Sequence, residues 1–205
     1  MDPGDARARL RELMWSVARM AGPVPPMSEL VARLDAWLSR HRPAYHARLL
    51  PGLTDEEWVG FESRIGLKLP DAFRVFYQWR NGQPNDYFKS FRGNWTWTPT
   101  ADIIDTKELL DSMIGSDFEP GWWEQSWVPF LHNGAGSHLC VDVAGANSGT
   151  PGQLVEFWNR DRDRPVVAPG LENWLHQFVR SLERDRWEET SVGFECVEVR
   201  DEPES

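Results

Sequence analysis

The sequence predicts a single α+β domain, in which a central, mostly antiparallel β-sheet is flanked by helices and preceded by an N-terminal helical extension. Two observations lead to this prediction. Helical periodicity with start and stop signals recurs within residues 28–115 and returns at residues 171–182. Three short runs of strand-forming residues lie between these regions, at 127–131, 137–143 and 153–159. Because turn-forming segments join the runs, an antiparallel meander is the simplest arrangement.

The length and composition are those of a domain that folds without disulfide bonds or a bound metal. A chain of 205 residues can bury roughly 70% of its unfolded surface and needs neither disulfides nor a metal. Its only cysteines are Cys140 and Cys196, which fits a reducing compartment better than a secreted module. The first residues lack the apolar core of a signal peptide, and no apolar run approaches about 18 residues. We therefore expect a soluble, cytoplasmic protein that does not insert into a membrane.

The formal net charge of −10 is unevenly distributed. Residues 1–50 carry eight arginines against five acids, which gives +3 and leaves −13 for residues 51–205. The acidic body argues against nucleic acid as a partner, because binding to phosphates requires cationic side chains. It suits a basic protein partner instead, since complementary charges accelerate the encounter. The alternative is that the charge only maintains solubility.

The N-terminal segment, residues 1–27, is predicted to be an amphipathic helix at residues 5–21 followed by a proline-rich linker. The helix is basic, so it could contact a membrane surface or a partner, but packing against its own domain is the simpler interpretation. Ser28 is expected to cap the second helix and to open the main domain, residues 28–200. Residues 201–205 are expected to form a disordered tail.

Two consecutive helices have the clearest sequence signals. Thr54 and Glu57 have the spacing of a capping box, which fixes the start of the first helix. The second lies in LPDAFRVFYQWRNG, residues 69–82, with Pro70 expected at its first position and Gly82 as its left-handed C-cap. Apolar and aromatic residues cover nearly the whole circumference of this helix, which predicts that it is buried.

The remaining segments are shorter. Residues 83–97 form a turn-rich loop that leads into a strand ending near Trp97, and Asp102 is expected to cap a further helix. The acidic and aromatic residues 116–127 form a second loop before the meander. After the helix at residues 171–182, alternating residues at 193–199 predict one more strand.

The order of these segments resembles the SUKH superfamily, in particular the branch related to fungal cell-wall assembly regulators. The matching pieces are PGLTDEE before a helix, IGLKLPDAFRVFYQWRNGQ, WVPFLHNGAGSHLCVD, the turn GTPG before QLVEF, and LENWLHQFV, within residues 31–182. The resemblance implies a compact α+β domain with a central sheet. For a bacterial protein it implies an immunity protein that binds and neutralises a toxin, and for a fungal protein a scaffold that regulates cell-wall synthesis.

Candidate chemistry is best sought in HNGAGSHLCVD, residues 132–142. Strand alternation places His138, Cys140 and Asp142 on one face, and His132 lies across the turn from them. Such ligands suit zinc. The same alternation turns the apolar residues toward the core and leaves this polar set partly exposed, with Cys140 as a small packing residue. No second Cys or His pair has ligand spacing. The glycines here lack the lysine and the strand-to-helix context of a phosphate-binding loop. We predict no metal, no cofactor and no catalytic residue.

A binding surface is the remaining interpretation. The loops at residues 83–97 and 116–127 place aromatic residues beside acids, a combination that suits a cationic partner. Most tryptophans are expected in the core, but Trp122 and Trp123 cannot both face inward in an extended segment, so at least one should be exposed. The predicted partner-binding residues are Asp86, Tyr87, Asp117, Glu119, Trp122, Trp123 and Glu124.

The sequence as a whole predicts a non-enzymatic protein-binding domain. The leading hypothesis is an immunity protein that binds and neutralises a cognate bacterial toxin, with a protein partner that is basic. The alternative is a regulatory scaffold in cell-wall synthesis or signalling. A third hypothesis is a metal-dependent hydrolase centred on His138 and Asp142. The sequence leaves open the identity of the partner and the oligomeric state.

Overall fold

The computed structural model describes residues 23–197, so the predicted helix at residues 5–21 and the tail at residues 201–205 lie outside the described residues. The helices are α1 (Met27–His41), α2 (Pro43–His46), α3 (Asp55–Ile65), α4 (Asp71–Trp79), α5 (Thr100–Ser112) and α6 (Leu171–Arg184). The strands are β1 (Thr96–Trp97), β2 (Trp127–His132), β3 (His138–Asp142), β4 (Gln153–Phe157), β5 (Val166–Ala168), β6 (Arg186–Glu189) and β7 (Phe194–Val197).

The central sheet is an antiparallel meander whose five strands lie in sequence order, from β1 to β5. The α+β class and the meander of β2, β3 and β4 are therefore confirmed. Strand β5 was not predicted, because it has only three residues and its sequence does not alternate. The predicted last strand is present as β7, but it pairs with β6 in a separate two-stranded sheet.

Helices α1, α4 and α6 cover one face of the sheet, and α4 is the centre of the core there. Phe73 packs edge-on against Phe130 of β2, with ring centroids 5.1 Å apart. Phe76 stacks on Trp97 of β1 at 4.1 Å. Both phenylalanines are fully buried, which confirms the prediction that α4 is a core helix.

The two ends of α4 differ from the prediction. Pro70 precedes the helix instead of opening it, because its backbone is extended (φ −55°, ψ 145°) and Asp71 is the first helical residue. The helix ends at Trp79, and the C-cap residue is Arg80 in an extended conformation, so Gly82 is not the C-cap. Gly82 does have a positive φ of 74°, and an added Cβ would lie 2.8 Å from the backbone nitrogen of Pro99. Glycine is required there by this close approach between two segments.

The helix starts follow two different rules. The capping box at α3 is confirmed, since the Thr54 hydroxyl accepts from the Glu57 N–H at 3.2 Å and the Glu57 carboxylate accepts from the Thr54 N–H at 2.8 Å. By contrast, α1 begins directly after Pro26 and α5 directly after Pro99, with no side-chain cap. Ser28 and Asp102 therefore lie inside the first turns rather than before them.

The second face of the sheet is also covered, by α5 and the loop that follows it. Trp123 and Trp127 pack there against Cys140 of β3 and against Val155 and Phe157 of β4. Asp142 is 0% exposed, so the expectation of a partly exposed polar face is wrong for this residue, whereas the burial of Cys140 agrees with its expected role as a small packing residue. The cause is the loop between α5 and β2, which folds back over the strands. Among residues 23–197, no helix is long and apolar enough to cross a membrane.

Candidate partner-binding surface

The two loops predicted to form one binding surface lie against opposite faces of the sheet. Tyr87 packs against the core cluster that contains Leu139 and Val141 of β3. Trp122 and Trp123 belong to the cluster that contains Cys140 of the same strand. Because alternate residues of a strand point to opposite faces, the predicted residues form two separate surfaces.

The first surface surrounds a cavity of about 450 Å³ between the end of α5 and the loop before β2. Its apolar lining comes from Ile114, Phe118 and Trp123, and its acidic lining from Glu119 and Glu124. We call this cavity the acidic pocket. Three of its lining residues were predicted from the sequence, whereas Ile114 and Phe118 were not, because they read as the end of a helix and part of a turn.

Trp123 is a wall of this pocket and not an exposed anchor. It is only 3% exposed, and its ring packs edge-on against Trp127 at 5.5 Å and against Phe157 at 5.2 Å. Its indole N–H donates to the carboxylate of Asp111 on α5 at 2.8 Å. The sequence left open which of the two neighbouring tryptophans is exposed, and Trp123 is the buried one because β4 and α5 supply ring and carboxylate partners that the sequence does not reveal.

Trp122 packs against the same cluster but is only half-buried. The guanidinium of Arg164 lies 5.1 Å from its ring centroid and donates to its backbone carbonyl at 2.9 Å. Trp122 is therefore the more exposed of the two neighbouring tryptophans, although neither is fully exposed.

The predicted acids of this loop differ in how they are paired. Glu119 forms an exposed ion pair with Arg162, and Asp117 accepts a hydrogen bond from Ser116 at 3.0 Å. Within residues 23–197, the carboxylate of Glu124 has no hydrogen-bond or ion-pair partner. Glu124 is therefore the acid of the pocket most available to a cation.

The floor behind the pocket is fixed by a buried lysine. The ammonium group of Lys107 donates to Asp111 at 2.8 Å and to the backbone carbonyl of Gln125 at 2.6 Å. Lys107 is 4% exposed, so its charge is compensated inside the protein and does not face a ligand. The link from α5 to the loop holds Gln125, the neighbour of Glu124, in place.

The second surface contains Asp86 and Tyr87. Asp86 is exposed and pairs with Arg48 at 2.7 Å. The Arg48 guanidinium also lies 5.3 Å from the centroid of the Tyr87 ring. The neighbouring Phe88 is 90% exposed and was missed by the sequence prediction. The available signal was a phenylalanine inside the otherwise polar, turn-rich segment that follows residue 82.

Asp142 of β3 serves the fold. Burial by itself raises the pKa of Asp142, but hydrogen bonds from the Asn147 N–H, Gln153, the Ala146 N–H and Ser126 outweigh it and lower the pKa overall. Asp142 thus organises the turn that joins β3 to β4. Burial lowers the pKa of His138 to about 4 and raises the pKa of the Cys140 thiol. Among residues 23–197, no three His, Cys, Asp or Glu side chains are grouped so that they could hold a metal ion.

Fold and surface together define a class of protein: an α+β domain built on an antiparallel meander, whose polar strand residues support the structure and whose loops carry the exposed features. The sequence model of the SMI1/KNR4 protein family (SUKH-1) matches residues 52–177 of this chain. The chain belongs to this family, which confirms the resemblance to the SUKH superfamily.

Relatives of the chain occur among fungal proteins. The Schizosaccharomyces pombe protein named cell wall biosynthesis/cell cycle regulator smi1 is 25% identical over 80% of this chain and 37% of its own length. KNR4/SMI1 homolog 2 of Debaryomyces hansenii is 23% identical, over 78% of this chain and 36% of its own length. The cell wall assembly regulator SMI1 of Saccharomyces cerevisiae is 22% identical, over 75% and 40%. The chain therefore spans less than half the length of these relatives.

Proposed function

We propose that this chain is a non-enzymatic protein-binding domain and that the acidic pocket receives a basic side chain of its protein partner. The observation that carries the proposal is the lining of the pocket, where Ile114, Phe118 and Trp123 supply apolar surface beside Glu119 and Glu124. Lysine and arginine side chains combine an apolar stem with a cationic head. The apolar stem matches the apolar lining of the pocket, and the cationic head matches its acidic lining.

The pocket is suited to binding because its walls are already fixed. Trp123 is held by a hydrogen bond and two ring contacts, so little side-chain entropy is lost when a partner docks. Glu124 can pair with an incoming cation without breaking an existing ion pair. Glu119 can do so by exchanging Arg162, and exposed pairs of this kind contribute at most about 1 kcal/mol.

The leading candidate for the biological role is an immunity protein that binds a cognate bacterial toxin and neutralises it by covering its active surface. Membership of the SUKH-1 family and the charge of −13 on residues 51–205 support this role. An acidic surface accelerates association with a basic toxin. A cytoplasmic location, expected from the sparse cysteines, is part of the same proposal.

The second candidate is a regulatory scaffold in cell-wall synthesis or signalling. The names of two relatives, cell wall biosynthesis/cell cycle regulator and cell wall assembly regulator, favour it. In this role the acidic pocket would bind a protein of the regulated assembly, and no neighbouring gene would encode a toxin.

Coexpression with proteins encoded beside the gene tests the leading candidate. The chain is expected to restore growth of cells that make the toxic neighbour, and Glu124→Lys is expected to abolish this protection. Asp105→Lys is the matched control, because Asp105 is an exposed acid on α5 outside the pocket lining. A neighbour that binds the chain without being toxic would favour the regulatory role, and a lack of both protection and complex would contradict the proposal.

A further inference from the structure

The loop after α4 presents one aromatic side chain to solvent. Phe88 is 90% exposed, more than any other large apolar residue among residues 23–197. Single exposed apolar residues are common on protein surfaces and do not by themselves indicate a binding site. What distinguishes Phe88 is the support beneath it.

A buried glutamine clamps the backbone on both sides of Phe88. Gln83 is 1% exposed, and its amide nitrogen donates to the carbonyls of Tyr87 and Lys89, each at 2.7 Å. Both acceptors are peptide carbonyls, so both amide hydrogens are used. Tyr87 and Lys89, which flank Phe88 at the tip of the loop, are therefore both hydrogen-bonded to the buried amide of Gln83.

The amide oxygen of Gln83 is held just as firmly. It accepts from the Tyr45 hydroxyl at 2.7 Å and from the Trp97 N–H at 3.3 Å. Because Trp97 belongs to β1 and Tyr45 to α2, the clamp is fixed to both the sheet and the helical layer. A fully satisfied buried polar group of this kind rigidifies its surroundings.

The base of the loop has further supports. The Tyr87 N–H donates to the Pro84 carbonyl at 3.0 Å, and the Tyr87 ring packs against Tyr45 with centroids 5.8 Å apart. Arg48 lies over the Tyr87 ring and pairs with Asp86 at 2.7 Å. The backbone is thus ordered up to the tip, whereas the tip side chain itself packs against almost nothing.

We propose that Phe88 is an aromatic anchor that enters a ring-sized apolar pocket on a protein partner. Aromatic residues that fill such pockets carry much of the affinity of protein interfaces. Asp86, paired with Arg48, and Lys89, paired with Glu189 at 3.5 Å, lie on either side of Phe88, so the receiving pocket is apolar at its centre and polar at its rim. The preformed loop reduces the entropy lost on binding. The inference rests on the proposed function only in that the chain is a protein-binding domain, and it adds a second contact away from the acidic pocket.

Site-specific photocrosslinking of the full chain in its own cells tests the anchor. The photoreactive phenylalanine analogue p-benzoylphenylalanine replaces Phe88 in one variant, Glu119 at the acidic pocket in a second, and Val192 in a third. Val192 is a matched control, because it is 62% exposed but lies in the turn between β6 and β7. Position 88 is expected to crosslink a protein that position 192 does not. The crosslinked protein is then identified and purified.

Titration with the purified protein then gives the dissociation constant for each variant of this chain. Phe88→Ala is expected to weaken binding at least fivefold, as for an anchor residue, while Val192→Ala leaves the affinity unchanged. A smaller loss at Phe88, or a crosslink from position 88 only to a second copy of this chain, overturns the anchor. Crosslinks from position 119 alone overturn the anchor but leave the proposed function intact. No crosslink from either position contradicts both.

Discussion

Truncation of Phe76 should cause a large loss of stability. The side chain is 0% exposed and lies at the junction of α4 with the first strand, with its ring centroid 4.1 Å from that of Trp97 and 6.3 Å from that of Phe91. Replacing a buried phenylalanine by alanine removes transfer free energy and leaves a cavity, which together cost about 3–5 kcal/mol. Lost aromatic pairing places Phe76→Ala in the upper half of that range.

Urea unfolding followed by tryptophan fluorescence measures this loss, because both Trp97 and Trp79 lie beside the altered site. Whole domains are stable by only about 5–15 kcal/mol, so the midpoint of unfolding should move to a much lower urea concentration. Trp122→Ala is the control, since that half-buried side chain lies at the surface and its loss should cost about 1 kcal/mol or less. If Phe76→Ala cost no more than Trp122→Ala, α4 would not be the centre of the core.

Three further perturbations test other parts of the structure. Thr54→Ala removes the capping box of α3 and should lower the free energy of unfolding by about 0.5–2 kcal/mol in urea titrations; an unchanged value would contradict the cap. Asp142→Asn should destabilise the protein at neutral pH. The folded-state pKa of Asp142 is depressed, so its stabilisation is present above the unfolded pKa and is lost as the pH falls through the folded pKa. The difference from wild type in thermal melts should therefore shrink in acid, and a constant difference would refute this role. Gln83→Leu should accelerate hydrogen exchange at the Tyr87 amide while leaving the amides of β3 protected; equal exchange at Tyr87 would mean that Gln83 does not order the loop.

The sequence was informative wherever a local signal determines the structure. The capping box at Thr54 and Glu57 depends on residues three apart, and the strand runs of the meander are separated by short turns, so both could be predicted. The ends of α4 were predicted less accurately. The conformation of Gly82 is imposed by the backbone of Thr98 and Pro99, which are distant in sequence. Such a contact between distant segments leaves no mark in the local sequence.

The candidate surface was predicted only in part, for a related reason. The prediction from strand alternation assumed that one face of the sheet is exposed to solvent. In the structure the loop after α5 covers that face and packs on Cys140. The sequence could not show which of Trp122 and Trp123 is the more buried, because this depends on the hydrogen bond from Trp123 to Asp111 of α5. The separation of Tyr87 from Trp123 by the sheet is likewise a property of the fold and not of either loop.

In the proposed function, the acidic pocket binds a basic side chain of a protein partner. The most direct test is a charge-reversal cycle measured by calorimetry with the partner identified by coexpression or crosslinking. Glu124→Lys should weaken binding by about tenfold or more, as expected for loss of a close interfacial charge pair, and Asp105→Lys should have little effect. A Lys→Glu or Arg→Glu change in the partner should restore affinity for the Glu124→Lys chain. Equal affinity of the wild-type and Glu124→Lys chains for the partner would contradict binding through the acidic pocket.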